Sequence, residues 1–219
     1  GAGTFFLKRG YSLKRTYSLP KFYTAVMPVL MVGLLILVVA APAFIFFSEK
    51  GPGAVHAFWA VSLIAGIVVG GLAQYTRLCM VGGIRDIILF HETKLLMGFV
   101  AVFVAAFLVN LAFGNFHPGF ANQPIAHTDG LWNFLGMALA GFCSILLGGC
   151  PMRQLIMTGE GNTDSAITVL GLVIGAAFAH NFGLAAGGNG PTFNGEVAVV
   201  LGFVVALIIA VVNTRKQGT

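Results

Sequence analysis

Six long apolar runs constrain this chain more than any other feature. They lie near residues 24–48, 55–76, 94–113, 131–148, 166–184 and 195–213. Such runs approach or reach the ~20 residues that a bilayer-spanning helix needs. Only 9% of the residues are charged, against about 25% in soluble domains. The sequence therefore predicts an all-α, polytopic membrane protein with about six transmembrane helices.

The basic residues predict how these helices are oriented. Under the six-helix arrangement, Lys50 falls on one side of the membrane and the other Lys and Arg residues fall on the opposite side: Lys8, Arg9, Lys14, Arg15, Lys21, Arg77, Arg85, Lys94, Arg153, Arg215 and Lys216. Because positive residues favour the cytoplasm, we expect a multi-pass protein of the inner (cytoplasmic) membrane with both termini cytoplasmic. The loops 114–130 and 185–195 then face outward. The net charge of +5 reflects topology and lipid contact, and no basic face indicates a nucleic-acid partner.

An internal repeat surrounds two cysteines. Cys79 and Cys150 are 71 positions apart, and the same offset separates Asn110 from Asn181 and one Ala-Ala-Phe triplet from another. Each unit contains a glycine-bearing helix, a cysteine, a short polar stretch and a second helix. Repeated helix units are common in transporters, whose binding sites lie at the interface between repeats. The pattern predicts two related helix pairs with a site between them.

The domain organisation follows from these features. Residues 1–23 are interpreted as a basic cytoplasmic N-terminal segment or linker, and residues 24–219 as one transmembrane helical domain. The repeat units cover about 54–113 and 131–184. The chain begins at Gly1 without a signal-peptide pattern, so we expect a fragment or a processed piece of a longer protein.

Each repeat contains a polar segment where its first helix ends at a cysteine. Pro151 disfavours a helical conformation at the preceding Cys150, and short helices are expected over 83–90 and 152–158. Re-entrant backbone is tolerated at membrane depth when it is buried in protein or lines a cavity. The free amides at its helix N-termini favour anions. An ordinary cytoplasmic loop with positive-inside arginines is the alternative.

The residues of these segments are the candidate substrate-binding groups. Cys79 and Cys150 lead, and Arg85, Arg153 and Gly149 lie beside them. A neutral thiol is a weak, soft hydrogen-bonding group, which suits a polarisable sulfur or selenium atom better than a hard oxyanion. The odd number of cysteines predicts free thiols. The sequence has neither a C-x-x-C motif nor a paired-His motif, so no metal, cofactor or catalytic residue is predicted.

Two further patterns have mainly structural interpretations. Cys143 lies seven residues before Cys150 on nearly the same helix face, which makes it a weaker candidate because free cysteine also packs as a small apolar residue. The G-x-x-x-G pairs predict close helix contacts, and they are Gly66 with Gly70 and Gly171 with Gly175.

The polar residues that follow the cysteines have expected partners. Asp86, Glu160 and Asp164 are candidate partners for the two arginines. Asn162, Thr163 or Asp164 is expected to cap the next helix, since these residue types are favoured at helix N-termini.

The segments RLCMVGGIRD and LGGCPMRQLIMTGEG resemble the two cysteine motifs in the C-terminal half of YeeE/YedE-type sulfur transport proteins, closest to the YedE-like selenium transporter branch. The resemblance runs from about residue 54 to the end. It implies short helices that dip towards a central pathway, where Cys79 and Cys150 contact the substrate. Arg85 and Arg153 are adjacent to these cysteines.

Such relatives also carry a preceding half with another Gly-rich cysteine motif, which has no counterpart before Tyr23. We expect a lost segment, a second chain or a homo-oligomer to supply it.

The sequence thus predicts a transporter, not an enzyme, for a small sulfur- or selenium-containing anion such as a thiosulfate-like species. The anion would move along a cysteine-lined pathway in contact with membrane lipid. Two alternatives stay open. One is a membrane thiol-redox enzyme that uses Cys79 and Cys150 as a pair. The other is a structural subunit of a larger membrane complex.

Overall fold

The computed structural model describes residues 2–12, 25–42, 44, 56–119 and 127–215. Within these ranges the regular structure is helical, as predicted, and the helices are α1 (Ala2–Lys8), α2 (Val26–Ala40), α3 (Trp59–Thr76), α4 (Met80–Phe90), α5 (Lys94–Ala112), α6 (Gly130–Leu146), α7 (Pro151–Gly159), α8 (Thr163–Asn181) and α9 (Phe193–Arg215).

Five stretches of the described chain are long and apolar enough to cross a membrane. They are Trp59–Phe90, Lys94–Ala112, Gly130–Gly159, Thr163–Asn181 and Phe193–Thr214. Each overlaps a predicted run, so the polytopic membrane fold is confirmed. Their side chains are largely exposed because lipid, which is as apolar as they are, replaces a protein core around such helices.

The first predicted run, 24–48, behaves differently. Its described helix α2 has 15 residues, which corresponds to about 22 Å, less than the ~30 Å of a bilayer core. The helix ends at Ala41, whose φ is 41°, because Pro42 disfavours a helical conformation in the residue before it. Most of the predicted run beyond Pro42 lies outside the described residues.

The helices α6 and α9 run in the same direction and pack closely. A Cβ on Gly202 of α9 would lie 2.6 Å from the Leu139 side chain of α6. Further along both helices, Leu146 and Ala210 belong to one buried cluster. The N-terminal segment also packs there, through Tyr11. The first described helix and the end of α9 therefore lie at the end of the bundle where α6 terminates.

Tyr11 anchors the N-terminal segment to α6. Its side chain is buried, and its hydroxyl donates a hydrogen bond of 3.2 Å to the carbonyl oxygen of Leu146. Burial raises the pKa of the Tyr11 phenol above its usual value, so the hydroxyl stays protonated and able to donate at neutral pH.

We expect Tyr11→Phe to lower the free energy of unfolding by about 1 kcal/mol, the usual worth of one such bond. Thermal unfolding in detergent measures the change. Tyr75→Phe is the matched control because the Tyr75 side chain is 89% exposed. Equal melting temperatures for the two variants would show that the Tyr11 hydroxyl does not anchor the N-terminal segment.

The two repeats have the same backbone hydrogen bonds at the predicted offset. Where α3 ends, the Leu78 amide donates to the Ala73 carbonyl at 3.0 Å, and where α6 ends, the Gly149 amide donates to the Ser144 carbonyl at 3.0 Å. This bond between residues five positions apart is typical of a helix that stops at a left-handed residue. Both helices are therefore closed in the same way, by an amide that lies one residue before each cysteine.

Further features of the repeats also coincide. The left-handed residue is Arg77 in the first repeat, with φ of 53°, and Gly148 in the second, with φ of 82°. Near the ends of α5 and α8, the side chains of Asn110 and Asn181 each donate to the carbonyl four residues earlier, at 2.9 and 2.8 Å. The order of long helix, cysteine, short helix and long helix thus occurs twice.

The G-x-x-x-G pairs do not make the predicted helix contacts. A Cβ would meet no described atom within 4 Å at any of the four positions, Gly66, Gly70, Gly171 and Gly175. The prediction is wrong within the described chain because no other described helix approaches these glycines closely. The close approach occurs instead at Gly83, where a Cβ would lie 2.9 Å from the backbone nitrogen of Leu96, because a three-residue turn folds α5 back onto α4.

Candidate functional site

Both cysteines occupy the residue just before a short helix. Cys79 is extended, with φ −154° and ψ 110°, and its sulfur accepts a hydrogen bond of 3.2 Å from the Gly82 amide. Cys150 is extended too, with φ −69° and ψ 163°, and Pro151 follows it as the first helical residue. The predicted short helices are confirmed, with α4 starting three residues earlier and α7 one residue earlier than expected.

The fold brings the two cysteines together. Their side chains are free and buried, with 6% and 7% exposure for Cys79 and Cys150. The Cys150 side chain interacts with the Cys79 side chain and with the backbone amides of Met80 and Arg153. One amide belongs to the first turn of α4 and the other to the first turn of α7. Two thiols and two helix N-termini, whose dipoles attract negative charge, therefore meet between the repeats.

Arg153 joins the two repeats beside the thiols. Its guanidinium donates to the Gln74 amide oxygen of α3 at 3.3 Å and lies 3.6 Å from a carboxylate oxygen of Glu160. The pairing with Glu160 is as predicted. Gln74 was missed, although a polar residue inside an apolar helix is a recognised sign of function. Arg153 thus lies at the junction of α3 and α7.

Arg85 is held differently. Its Nε and one terminal nitrogen each lie 2.8 Å from the same carboxylate oxygen of its chain neighbour Asp86. This ion pair balances the charge of Arg85 locally. Among the described contacts, none links Arg85 to a cysteine.

The third acidic candidate, Asp164, pairs with neither Arg85 nor Arg153 among the described contacts. Asp164 forms no ion pair with a described residue, and the cap of α8 is Asn162, whose side chain accepts from the Ser165 amide at 2.9 Å. Asn162 was one of the three expected caps.

Gly149 and Gln154 support the break before α7. A Cβ on the buried Gly149 would lie 3.2 Å from Arg153 Cγ, so glycine lets that side chain fold close to the chain. The Gln154 side chain is 3% exposed and donates to the Leu147 carbonyl at 3.1 Å. It thereby satisfies a carbonyl freed where α6 ends. Sequence reasoning missed Gln154 because nothing local indicates which helical glutamine turns inward.

Gln154→Leu is expected to lower the free energy of unfolding by about 1–3 kcal/mol, since the Leu147 carbonyl loses its partner. Gln74→Leu is the comparison, because the Gln74 bond is exposed and its loss should change stability by less than about 0.5 kcal/mol. Thermal unfolding of both variants in the same detergent compares their stabilities. If Gln154→Leu is as stable as Gln74→Leu, Gln154 does not hold the break together.

Cys143 is separate from the thiol pair. It is half-buried in α6 and lines a cavity of about 140 Å³ enclosed by α6, α7 and α8. The space is almost entirely apolar in character, which fits a packing role. In the part of the chain that the structure describes, no three His, Cys, Asp or Glu side chains are grouped to hold a metal ion.

The comparisons with known proteins identify the family. A family profile described as sulphur transport matches residues 75–216, more than half of the chain and both cysteine segments. No curated protein and no solved structure matches the chain significantly. The profile indicates transport rather than catalysis, as the sequence predicted. With five candidate spans and two repeats that meet at paired thiols, the chain belongs to the sulphur transport family and is a multi-pass membrane transporter of a sulfur compound.

Proposed function

We propose that the chain moves a small anion containing sulfur or selenium between its two repeats, with Cys79 and Cys150 contacting the substrate in turn. One observation carries the proposal: the two buried thiols lie against each other at the N-terminal ends of α4 and α7. A single buried cysteine is often a packing residue. Two buried cysteines that meet from repeated positions in a transporter support a shared role in transport.

The chemistry of the site suits such a substrate. Neutral thiols donate and accept weak hydrogen bonds, which a large, polarisable sulfur or selenium atom can make at low cost. The amides and dipoles of the two short helices offset the negative charge. Arg153, three residues after Cys150, adds a positive charge that Glu160 partly balances, and Gly149 leaves room for its side chain. Arg85 would contribute only after an anion displaced Asp86.

The lengths of α4 and α7 indicate how deep the site lies in the membrane. At 11 and 9 residues, α4 and α7 extend only about 16 and 13 Å, too little to cross a bilayer. We propose that both are re-entrant and line the pathway from the cytoplasmic side, with both termini cytoplasmic in the inner membrane. The rest of the pathway would be completed by a preceding half, a second chain or another copy of this one.

Reconstituted uptake tests this proposal. The purified chain, and a version with its genomic upstream sequence, would be placed in liposomes and offered thiosulfate, sulfide and selenite, with sulfate as the control. We expect saturable uptake of at least one sulfur or selenium species and little of sulfate. Uptake of sulfate at the same rate would contradict a thiol-based selection. No uptake by either form would favour a structural subunit.

The contact between the thiols also suits the alternative hypothesis, a thiol-redox reaction. Transport and redox chemistry are distinguished by quenching the protein during uptake and analysing its cysteines by mass spectrometry. Passage by hydrogen bonding leaves Cys79 and Cys150 as free thiols. An accumulating persulfide or a disulfide between them would favour covalent chemistry.

A further inference from the structure

A second cavity lies far from the thiols. It has a volume of about 260 Å³, is open on one side, and is lined by the first turns of α6 and α9 together with the chain between α8 and α9. The cavity is at the opposite end of α6 from Cys150, and the 17 residues of α6 span about 25 Å. It therefore forms no part of the cysteine site.

Three polar side chains line this cavity, and their hydrogen-bonding capacity is largely unused. Glu196 is half-buried and makes neither an ion pair nor a side-chain hydrogen bond with any described residue. The Nδ1 atom of His127 is buried and has no hydrogen-bond partner among the described residues. Asn133 donates its amide nitrogen to the His127 carbonyl oxygen at 3.3 Å, which leaves its side-chain oxygen as an acceptor.

The charge and chemistry of these groups define a ligand. Neither Lys nor Arg is among the described lining residues, so an ionised Glu196 repels anions such as the transported one. A half-buried carboxylate without a partner among the described residues is costly unless something binds it. The other walls are apolar and include Trp132 and Met137. The matching ligand is small, positively charged and rich in N–H donors.

We propose that this cavity binds a primary ammonium group. An R–NH₃⁺ group has three N–H donors, which the two carboxylate oxygens of Glu196 and the side-chain oxygen of Asn133 can accept. The volume is slightly below the ~300 Å³ at which cavities begin to hold drug-sized ligands. The ligand is therefore a short amine, either free or as the headgroup of an ethanolamine lipid. Nothing in this inference depends on what the thiols transport.

The tryptophans of the chain offer a direct readout. Trp132 lines the cavity, and Trp59 is the other of the two. In a Trp59→Phe background, Trp132 becomes the sole tryptophan reporter. The full chain in phosphatidylglycerol nanodiscs would be titrated with ethylammonium chloride, and separately with tetramethylammonium chloride at equal ionic strength. We expect a saturable fluorescence change with ethylammonium only, because tetramethylammonium has no N–H donor.

Two variants that each remove one negative charge test whether ethylammonium binds at Glu196. Glu196→Gln should weaken ethylammonium binding by about tenfold or more, the loss expected for a charge-assisted hydrogen bond. Glu92→Gln removes the same charge at an exposed turn between α4 and α5, and should leave the titration unchanged. The absence of a saturable ethylammonium response, or the same affinity in Glu196→Gln, would overturn the proposal.

Nanodiscs of phosphatidylethanolamine distinguish the two sources of the ammonium group. A lipid headgroup in the cavity would suppress the response to added ethylammonium in these discs and not in phosphatidylglycerol. A free amine as the ligand would give the same titration in both. Either result supports the ammonium site, and each names its occupant.

Discussion

Uptake of the sulfur compound is expected to fall to below about a tenth of the wild-type rate when Cys150 or Cys79 is replaced by alanine. The Cys150 thiol interacts with the Cys79 thiol and with amides in the first turns of α4 and α7, and the Cys79 sulfur accepts from the Gly82 amide of α4. Removing one sulfur deletes the soft contact that the anion makes in the buried part of the proposed pathway. A polar species that loses a partner in a desolvated site is penalised by a factor of about ten or more.

Cys143→Ala is the matched control for this experiment. It removes the same sulfur atom from a position inside α6, in a cavity that neither Cys79 nor Cys150 lines. Its uptake should stay within about twofold of wild type, since an isolated alanine for a half-buried cysteine changes packing alone. Membrane expression and thermal unfolding of all three variants are measured first. Normal uptake in both the Cys79 and the Cys150 variants would exclude the thiols from transport.

Gly83→Ala is expected to be the most damaging single change in the backbone around the site. Its Cβ would lie 2.9 Å from the backbone nitrogen of Leu96 and 3.1 Å from the Leu96 Cα. A backbone cannot rotate away as a flexible side chain can, so α4 and α5 must separate. Overpacking of this kind costs about 1–3 kcal/mol. The shift also moves the start of α4, and with it Cys79, so uptake should fall as stability does.

Gly71→Ala provides the comparison, because a Cβ there meets no described atom within 4 Å. Alanine is the better helix former by about 1 kcal/mol, so this variant should unfold at or above the wild-type temperature and retain uptake. Melting curves in detergent and liposome uptake are measured on both variants. A Gly83→Ala protein with wild-type stability and uptake would show that the α4–α5 contact is not a constraint on the site.

Local sequence features predicted the helical elements and their ends. Apolar length identified the membrane helices, because the bilayer selects against charge over a fixed number of residues. Pro151 predicted the break at Cys150, since proline restricts the residue before it. Asn162 was among the expected caps of α8 because its short side chain reaches the first free amides. These effects act within a few residues, so the order of amino acids suffices to read them.

The offset of 71 residues also predicted that the chain repeats itself and that its cysteines are equivalent. It did not predict that the two thiols would meet, because two equivalent positions can lie on any pair of faces. For the same reason, the sequence predicted contacts for the G-x-x-x-G pairs that the structure does not show. Glycine spacing shows which faces can approach closely, and only the packing of the whole bundle decides whether a neighbour covers them.

The tertiary structure alone decided the contacts across the chain. It placed Gln74 against Arg153, turned Gln154 towards the end of α6, and brought Glu196 and Asn133 to one cavity at the far end of the bundle. The sequence by itself determined a membrane protein with two cysteine-centred repeats, since hydrophobicity, helix breaks and periodicity are properties of neighbouring residues. Which distant side chains share a site depends on helix directions and rotations, which arise only when the helices pack.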